Sequence, residues 1–436
     1  MSEERSGGGD GGGTEIPVGP QHPSLKEPAN FTLTVEGEVI TDAEMKLSYN
    51  HRGIEQAALS NSYLENIYLL ERVCGICSHS HTTAFVQGVE TLLDLDVPDR
   101  ANYVRTLVGE LERIHSHMLW LGVAGHEIGF DTLWQYAWRD RESVLDLLEE
   151  ITGNRIHYAI NTIGGVREDL TDGQREAVLA TMDELEERID FYRETVPSEE
   201  TVRMRCEDVG TVSEELARSY GAVGPTGRAS GVPIDVRKDH PYAAYDEVDF
   251  DVITDDAGDL LARTTVRIEE VAQSVDIIRQ VAEDIPEGDL KADPKPPQAL
   301  LAQMPEDDVV SRYEAPRGEL IHYLRADGTD TPARIHIRVP TLANWPTVVE
   351  ALRGSYIADT PIVVAGIDPC ISCTSRIGVE TDGSHGGESS FTLEDLREYG
   401  VEWYDERGNV PRPGRAGGDA TDRGDGRDRT TGGDWT

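Results

Sequence analysis

The sequence predicts a mainly α-helical protein with α+β portions, in which a bundle of long helices forms the core. Three observations support this fold class. Apolar residues recur at helical spacing in long segments between residues 101 and 285. Apolar and polar residues alternate near 30–41, which predicts a small N-terminal β-region, and short β-like runs between about 309 and 366 predict a β-containing C-terminal part.

The helical bundle rests on amphipathic segments that are each long enough to bury one face against the others. Four of them are 101–129, 131–152, 172–196 and 255–285. Residues 49–77 also have helical spacing, and we expect this helix to end close to Cys74.

The β portions are shorter. "NFTLTVEGEVIT" predicts a strand or hairpin near 30–41, and "GELIHYLRA", "ARIHIRV" and "PIVVAGI" predict strands in the region that ends just before Cys370. Between the long helices, the Gly- and Pro-containing residues 220–242 predict a loop. This loop is rich in Arg, Asp and His, as a buried functional loop would be.

The two ends of the chain differ in composition from the middle. Residues 1–18 are Gly-rich and acidic and are predicted to be a disordered tail. We expect a single main domain over residues 19–378 and an acidic, partly disordered C-terminal extension over 379–436.

The formal net charge is −42, from 82 acidic and 40 basic residues, and only five of the basic residues are lysine. Such a surface repels nucleic acid and anionic membranes, so no nucleic-acid partner is expected. The composition suits a halophile, because high salt screens the self-repulsion. A specific cationic partner is the alternative explanation.

The expected location follows from two features. No run approaches the roughly 18 apolar residues of a membrane span, and the N-terminus has no apolar core like that of a Sec signal. We therefore expect the chain to stay in the cytosol unless a partner holds it elsewhere. An odd number of cysteines, five, argues against disulfides in such a chain.

Two CxxC pairs contain four of the five cysteines: Cys74 with Cys77 and, roughly 290 residues later, Cys370 with Cys373. Four thiolates are a soft ligand set suited to zinc, iron–sulfur or nickel. Spacing alone leaves a structural metal, a catalytic metal and no metal open. A redox CxxC is less consistent, since no βαβ pattern flanks either pair. The neighbouring charged groups favour a site that moves protons. They are Arg72, His79, His81, Asp368 and Arg376.

The two cysteine segments resemble the metal-binding signatures of nickel–iron hydrogenase large subunits. They read "RVCGICSHSHT" and "DPCISCTSR". Other segments resemble both the energy-converting, membrane-bound hydrogenases and the related 49-kDa subunit of respiratory complex I. They are "GPQHPSLKEP", "YNHRGIE", "ELERIHSHMLWLG", "GPTGRASGVPIDVRKDHPY" and "EAPRGEL". Since complex I subunits of this lineage lack the four thiols, the resemblance favours the hydrogenase branch.

The resemblance implies that both CxxC pairs converge on one metal site. Cys74 and Cys370 would be terminal nickel ligands, and Cys77 and Cys373 would bridge nickel to an iron that carries carbon monoxide and cyanide. The chain would hold no iron–sulfur cluster of its own, because only one cysteine remains.

The resemblance also implies roles for individual residues. Glu27 matches a carboxylate that gates protons, His81 a histidine hydrogen-bonded to a bridging sulfur, and Arg317 an arginine over the diatomic ligands of the iron. Thr341 matches a hydroxyl that meets the cyanides. Alternatives stay open: Glu27 could be an ordinary loop acid and Arg317 part of a surface ion pair.

Further residues belong to the surroundings of the site. Arg72, Asp368 and Arg376 flank the cysteines, and Arg376 stands where classical uptake hydrogenases have a histidine, as in the energy-converting branch. His22, His51 and Asp235 lie in loops shared with complex I, where they border a quinone or coupling region; structural hydrogen bonding is an equal alternative. The C-terminal extension is a candidate for removal after metal insertion.

The implied function is reversible cleavage of dihydrogen by the catalytic subunit of a membrane-associated complex. Its partners would be a small subunit bearing a four-iron four-sulfur cluster, a 30-kDa subunit and integral membrane subunits of the complex I type, and ferredoxin or a similar electron donor. They would hold the chain peripherally at the cytoplasmic side of the membrane. A quinone-reducing subunit with relic cysteines and a scaffold with structural zinc are the alternatives.

Overall fold

The structure is a computed structural model that describes residues 13–292 and 297–374. The strands are β1 Thr14–Val18, β2 Asn30–Glu36, β3 Val39–Lys46, β4 Asn161–Thr162, β5 Gly165–Val166, β6 Glu306–Ala315, β7 Gly318–Asp327 and β8 Arg334–Arg338. The α-helices are α1 Ile54–Ala58, α2 Tyr63–Glu71, α3 Ser78–Leu92, α4 Asp99–Glu127, α5 Asp131–Thr152, α6 Asp172–Thr195, α7 Glu200–Cys206, α8 Glu214–Tyr220, α9 Gly224–Arg228, α10 Val236–Asp239, α11 Leu260–Asp284, α12 Pro297–Leu301, α13 Pro340–Leu352, α14 Thr360–Ala365 and α15 Ile371–Thr374.

The long helices α4, α5, α6 and α11 form the core and confirm the predicted bundle. Helix α4 packs against α5 and α11, and α11 packs against α6. Because α4 is enclosed, even its charged residues, such as Arg105 and Glu112, are buried. The polar side chains of α4 therefore serve internal networks rather than the surface.

The N-terminal sheet has the order β1–β2–β3 with antiparallel pairing, which confirms the hairpin near 30–41. Strand β1 corrects the extent of the predicted disordered tail. Thr14–Val18 pair with residues of β2, from Thr14 opposite Val35 to Val18 opposite Phe31, and this pairing satisfies the backbone in a segment of low hydrophobicity. Residues 1–12 lie outside the described residues.

The helical segment predicted over 49–77 is divided into α1 and α2, and α2 ends three residues before Cys74. A capping box between Ser62 and Glu65 starts α2, which is why the helix cannot be continuous with α1. Cys77 is the N-cap of α3, so the first cysteine pair lies on a turn between two helices.

The C-terminal sheet has the order β6–β7–β8 and packs against α3. It confirms two of the predicted strands. The prediction of a third strand at "PIVVAGI" is wrong, because Thr360–Ala365 form the helix α14. A short apolar run is compatible with either structure, and the proline in the first turn favours the start of a helix.

Residues 220–242 are a largely buried loop with two short helices, α9 and α10. Its side chains Arg228 and Arg237 are fully enclosed and form ion pairs with acids from other elements. The chain divides at Gly378 into two units, and all described residues belong to the first; the extension 379–436 lies outside the described residues. Among the helices described, none is both long and apolar enough to span a bilayer.

Candidate metal centre

Sulfur atoms from both ends of the chain meet in the interior, as the fold prediction required. The Sγ atoms of Cys74 and Cys370 lie 3.6 Å apart, and those of Cys370 and Cys373 lie 2.7 Å apart. The three Sγ atoms are all within 4.8 Å of one another, and the residues are buried. Two sulfurs bound to one tetrahedral ion would be about 3.8 Å apart. The 3.6 Å between Cys74 and Cys370 matches this spacing, whereas the 2.7 Å between Cys370 and Cys373 is shorter than it.

Cys77 is the other cysteine of the first pair. Its thiol is buried, but its sulfur does not belong to the group within 4.8 Å of one another, which consists of Cys74, Cys370 and Cys373. The backbone nitrogens of Ile76 and Cys77 donate to the Cys74 sulfur at 3.3 and 3.2 Å. The N–H groups of the turn after α2 therefore orient the Cys74 sulfur, and Cys77 lies at the start of α3.

Arg52 joins the two cysteine segments. Its guanidinium donates to the carbonyl oxygens of Arg72 at 2.8 Å and Val73 at 2.7 Å, and to that of Ser372 at 3.4 Å. The Cys373 thiol donates to the same Val73 carbonyl at 3.3 Å. Sequence analysis did not single out Arg52, although it lies in the quoted motif "YNHRGIE".

Glu27 lies against the backbone of the second pair. Its Oε2 accepts hydrogen bonds from the nitrogens of Ile371 at 2.6 Å and Ser372 at 3.1 Å, and its Oε1 accepts one from the Ser372 hydroxyl. These residues stand between Cys370 and Cys373. The structure thus brings the predicted proton-gating carboxylate to the cysteine cluster.

Arg317 is held by Asp368 and Ser116. Its Nε donates to the Asp368 carbonyl at 2.6 Å, its Nη2 to Asp368 Oδ1 at 2.7 Å and its Nη1 to Ser116 Oγ at 3.2 Å. Asp368 has a φ of 55°, in the left-handed region, which turns its carbonyl and its side chain toward the same guanidinium. Arg317 is therefore fixed in the interior rather than in a surface ion pair.

His81 is buried on α3 and pairs with His322, a buried residue of β7. Their Nδ1 and Nε2 atoms are 3.2 Å apart. Burial lowers the pKa of His81 to about 4, and the charge of Cys74 opposes this effect, so the ring is within electrostatic reach of the cysteines. His322 was not found by sequence analysis, because the partner strand lies 241 residues away in sequence.

The other flanking residues have different surroundings. Thr341 is buried at the start of α13, and its Oγ1 accepts a hydrogen bond from the Cys370 nitrogen at 3.3 Å. The Arg72 guanidinium is half exposed and contacts Glu71 at 3.1 Å and the Tyr68 carbonyl at 2.8 Å. The structure gives Arg52, not Arg72, the contacts that link the cysteine segments. Arg376 lies outside the described residues.

His22, His51 and Asp235, the residues in the loops that resemble complex I, differ in their burial and contacts. His22 is exposed and its Nδ1 lies 2.7 Å from Ser24 Oγ. His51 is exposed, and its backbone nitrogen donates to the Ser48 carbonyl at 3.2 Å. Asp235 is buried and receives a hydrogen bond from Arg237 at 2.7 Å. The contacts of Asp235 are those of an ion-pair network.

The donor set fits a soft metal ion. Hydrogen bonding from neighbouring thiols, with Cys370 first, holds the pKa of Cys74 well below its ordinary value. The hydrogen bond with Cys370 raises the pKa of Cys373 well above its ordinary value. Buried thiols this close favour a single negative charge when no cation is bound, and a bound cation would favour the thiolate form of each ligand. Arg317 supplies a buried positive charge next to them.

A cavity of about 460 Å³ adjoins the sulfurs. Its walls are partly apolar, with Trp120 and Trp138, and partly charged, with Glu27, Arg52 and Arg317. Cys74 and Cys370 line it as well. The cavity gives a small molecule and protons a place beside Cys74 and Cys370.

Comparison with known proteins places this fold and site in one class. The chain belongs to the family described as "Respiratory-chain NADH dehydrogenase, 49 Kd subunit", whose family model matches residues 127–376. Residues 52–122, which include the first cysteine pair, match the family model for "Nickel-dependent hydrogenase". The chain therefore combines the 49-kDa fold with a hydrogenase segment.

The individual relatives include hydrogenases and a subunit of an NADH-quinone oxidoreductase. The chain is 40% identical over 405 residues to "Membrane-bound hydrogenase subunit alpha" of Pyrococcus furiosus, covering 89% of this chain and 92% of the relative. It is 40% identical to "Carbon monoxide-induced hydrogenase" of Rhodospirillum rubrum, covering 83% and 99%. It is also 39% identical to a subunit of the "NADH-quinone oxidoreductase" of Dehalococcoides mccartyi, covering 80% and 95%.

A solved structure shares the fold. It is a chain from "Structure of the membrane-bound sulfane sulfur reductase (MBS), an archaeal respiratory membrane complex", with a TM-score of 0.79 and 30% identity, covering 84% of this chain and 98% of that chain. The chain is thus related to oxidoreductase subunits of membrane-bound complexes.

Proposed function

We propose that this chain is the catalytic large subunit of a membrane-associated nickel–iron hydrogenase, which interconverts dihydrogen with protons and electrons. One observation carries the proposal: the sulfurs of Cys74, Cys370 and Cys373, from segments 296 residues apart in sequence, meet within 4.8 Å of one another in the interior. The relatives named as hydrogenases support the choice of nickel and iron over zinc.

The cysteines would hold the metals, with Cys74 and Cys370 as terminal nickel ligands and Cys77 and Cys373 as bridges to an iron carrying carbon monoxide and cyanide. When bound, such a centre supplies the electrophilic site at which dihydrogen is split heterolytically. Thr341 accepts a hydrogen bond from the Cys370 nitrogen, and Arg317 donates one to Asp368. Both side chains would orient the protein groups around the iron ligands.

The chain's own residues would move the proton. A thiolate of the cluster can accept it, and Glu27 lies next to the backbone of Cys370–Cys373 and lines the cavity. Glu27 is therefore placed to receive the proton and to release it into the cavity. The burial of the cysteines excludes bulk water from this first transfer.

The electrons would leave through partners. The sequence has five cysteines, so after four are used no set of four remains for an iron–sulfur cluster. We infer a small subunit with a four-iron four-sulfur cluster, a 30-kDa subunit and integral membrane subunits like those of complex I. These would hold the chain peripherally at the cytoplasmic side of the membrane, with ferredoxin or a similar protein as the electron donor.

The test is the metal content and activity of the purified complex. We expect about one nickel per chain, infrared bands of iron-bound carbon monoxide and cyanide, and hydrogen turnover with a low-potential electron carrier. Zinc without nickel would support the structural scaffold. Quinone reduction without nickel would support a complex I-like subunit with relic cysteines, and reduction of sulfane sulfur without nickel would support the activity named for the related structure.

A further inference from the structure

The His81–His322 pair has one proton to share. Both rings are buried, with centroids 5.4 Å apart, and the N···N distance between His81 Nδ1 and His322 Nε2 is 3.2 Å. If both nitrogens were protonated, two N–H donors would face each other, and if neither were, two lone pairs would. One nitrogen therefore carries a proton and the other accepts it.

The far nitrogen of His322 decides the direction. Nδ1 of His322 is buried and has no hydrogen-bond partner in the part of the chain that the structure describes. If His81 donated from Nδ1, the proton of His322 would have to be on that Nδ1, and a buried N–H would be left without an acceptor. Buried N–H groups without an acceptor are rare because they lose their hydrogen bond to water and gain none in return. A cationic His322 would leave the same unpaired N–H.

We propose that His322 is a positioning residue that donates from Nε2 to Nδ1 of His81 and so fixes the His81 proton on Nε2. His81 then carries its N–H donor on Nε2, and under the proposed function this N–H is available for a hydrogen bond to a sulfur. The identity of that acceptor rests on the proposed function; the direction of the hydrogen bond does not.

Rigid elements hold the two rings together. His81 lies on the first turns of α3, and His322 lies on β7, the central strand of its sheet, opposite Ser311 on one side and Ile337 on the other. Helix α3 packs directly on β6 and β7. The pair is therefore set by the packing of two regular elements rather than by a loop.

The experiment uses the full chain in its complex, labelled with ¹⁵N-histidine, because imidazole ¹⁵N shifts separate a protonated ring nitrogen from a bare one. The variants are His322→Phe, which removes the donor, and His322→Gln, whose amide N–H can replace Nε2–H. His336→Phe is the matched control, since it changes a histidine of the adjacent strand β8 whose side chain is 49% exposed. A His81→Phe spectrum assigns the His81 signals.

We expect His81 to be the neutral Nε2–H tautomer in the wild type, in His322→Gln and in His336→Phe, and to lose this preference in His322→Phe. Hydrogen turnover should fall about 10- to 100-fold in His322→Phe and recover in His322→Gln. A proton on Nδ1 of His81 in the wild type, or an unchanged tautomer in His322→Phe, would overturn the proposal. If His322→Phe does not fold, the wild-type tautomer alone decides.

The two proposals fail separately. If the tautomer behaves as expected but the wild type has no nickel and no hydrogen turnover, the positioning role of His322 stands and the hydrogenase function does not. If the wild type turns over hydrogen but His81 carries its proton on Nδ1, the function stands and the role of His322 does not.

Discussion

Glu27 Oε2 lies 2.6 Å from the backbone nitrogen of Ile371, although 344 residues separate them in sequence. The hydrogen bond anchors a carboxylate from the N-terminal loop to the segment between the last two cysteines. The other oxygen, Oε1, accepts a hydrogen bond from the Ser372 hydroxyl and has a second lone pair, so the carboxylate can both orient the segment and take a proton.

Replacing Glu27 with Gln should lower hydrogen turnover by about 10²- to 10⁴-fold, because the amide keeps an acceptor for the backbone N–H groups but cannot carry a proton. Nickel content should stay unchanged. The measurement is hydrogen–deuterium exchange together with metal analysis, with the exposed Glu38→Gln as the control. Full activity in Glu27→Gln would remove Glu27 from the proton path.

Replacing Cys373 with Ser should abolish hydrogen turnover and reduce bound nickel, because a hydroxyl is a poor ligand for a soft metal. Cys206→Ser is the matched control: its thiol is also buried, on α7. Turnover and nickel per chain are measured for both. A Cys373→Ser complex as active as Cys206→Ser would contradict the assignment of the centre.

Replacing Arg52 with Gln should lower metal retention, because three carbonyl contacts that join the cysteine segments are lost. Arg72→Gln is the comparison, since Arg72 contacts Glu71 and Tyr68 on its own helix. Nickel per chain after dialysis against a chelator is the readout. Equal retention in the two variants would show that Arg52 does not hold the segments together.

Replacing Glu110 with Gln should destabilise the fold by about 3–5 kcal/mol, because buried Arg113 loses its carboxylate partner and buried Arg237 keeps only Asp235 among the described residues. Glu110 accepts hydrogen bonds from Arg113, Arg237, Tyr245 and Ser274. Urea denaturation measures the free energy of unfolding, with the exposed Glu184→Gln as the control. Similar stabilities for the two variants would argue against this network as a source of stability.

The same residue predicts an acid dependence. Burial alone would raise the pKa of Glu110, but Arg113 and Arg237 outweigh it and lower the pKa from 4.5 to about 2. A lowered pKa adds stability that is complete above pH 4.5 and is lost as the pH falls toward 2. The Glu110→Gln variant should therefore show a shallower loss of unfolding free energy over this range, and an unchanged slope would exclude the effect.

Local patterns made much of the fold predictable. The apolar spacing of the four long helices needs no tertiary information, and the capping residues Ser62 and Thr171 mark two helix starts. The apolar run of α14 was misread as a strand because six residues are too few to distinguish the two periods. Strand β1 was missed because its pairing partner, not its own composition, makes it a strand.

The site was predictable where a motif carried its chemistry. The two CxxC pairs and Glu27 stand in recognisable segments, but His322 and Ser116 matter only through the elements that pack beside them. Sequence order contains no sign that β7 lies against α3 or that a serine of α4 meets Arg317. Such partners can be identified only from tertiary contacts. Arg72 is a candidate in the sequence because it stands close to Cys74, whereas Arg52 contacts the cysteine segments only in the folded structure.

The distance of 296 residues between Cys74 and Cys370 also sets an order of events during biosynthesis. At a translation rate of about 5–20 residues per second, the first pair leaves the ribosome about 15–60 s before the second. A complete ligand set therefore cannot form until synthesis has passed Cys373. Under the proposed function, nickel delivery would have to wait for the second pair, and until then the thiols of Cys74 and Cys77 would need protection from oxidation and from competing ions.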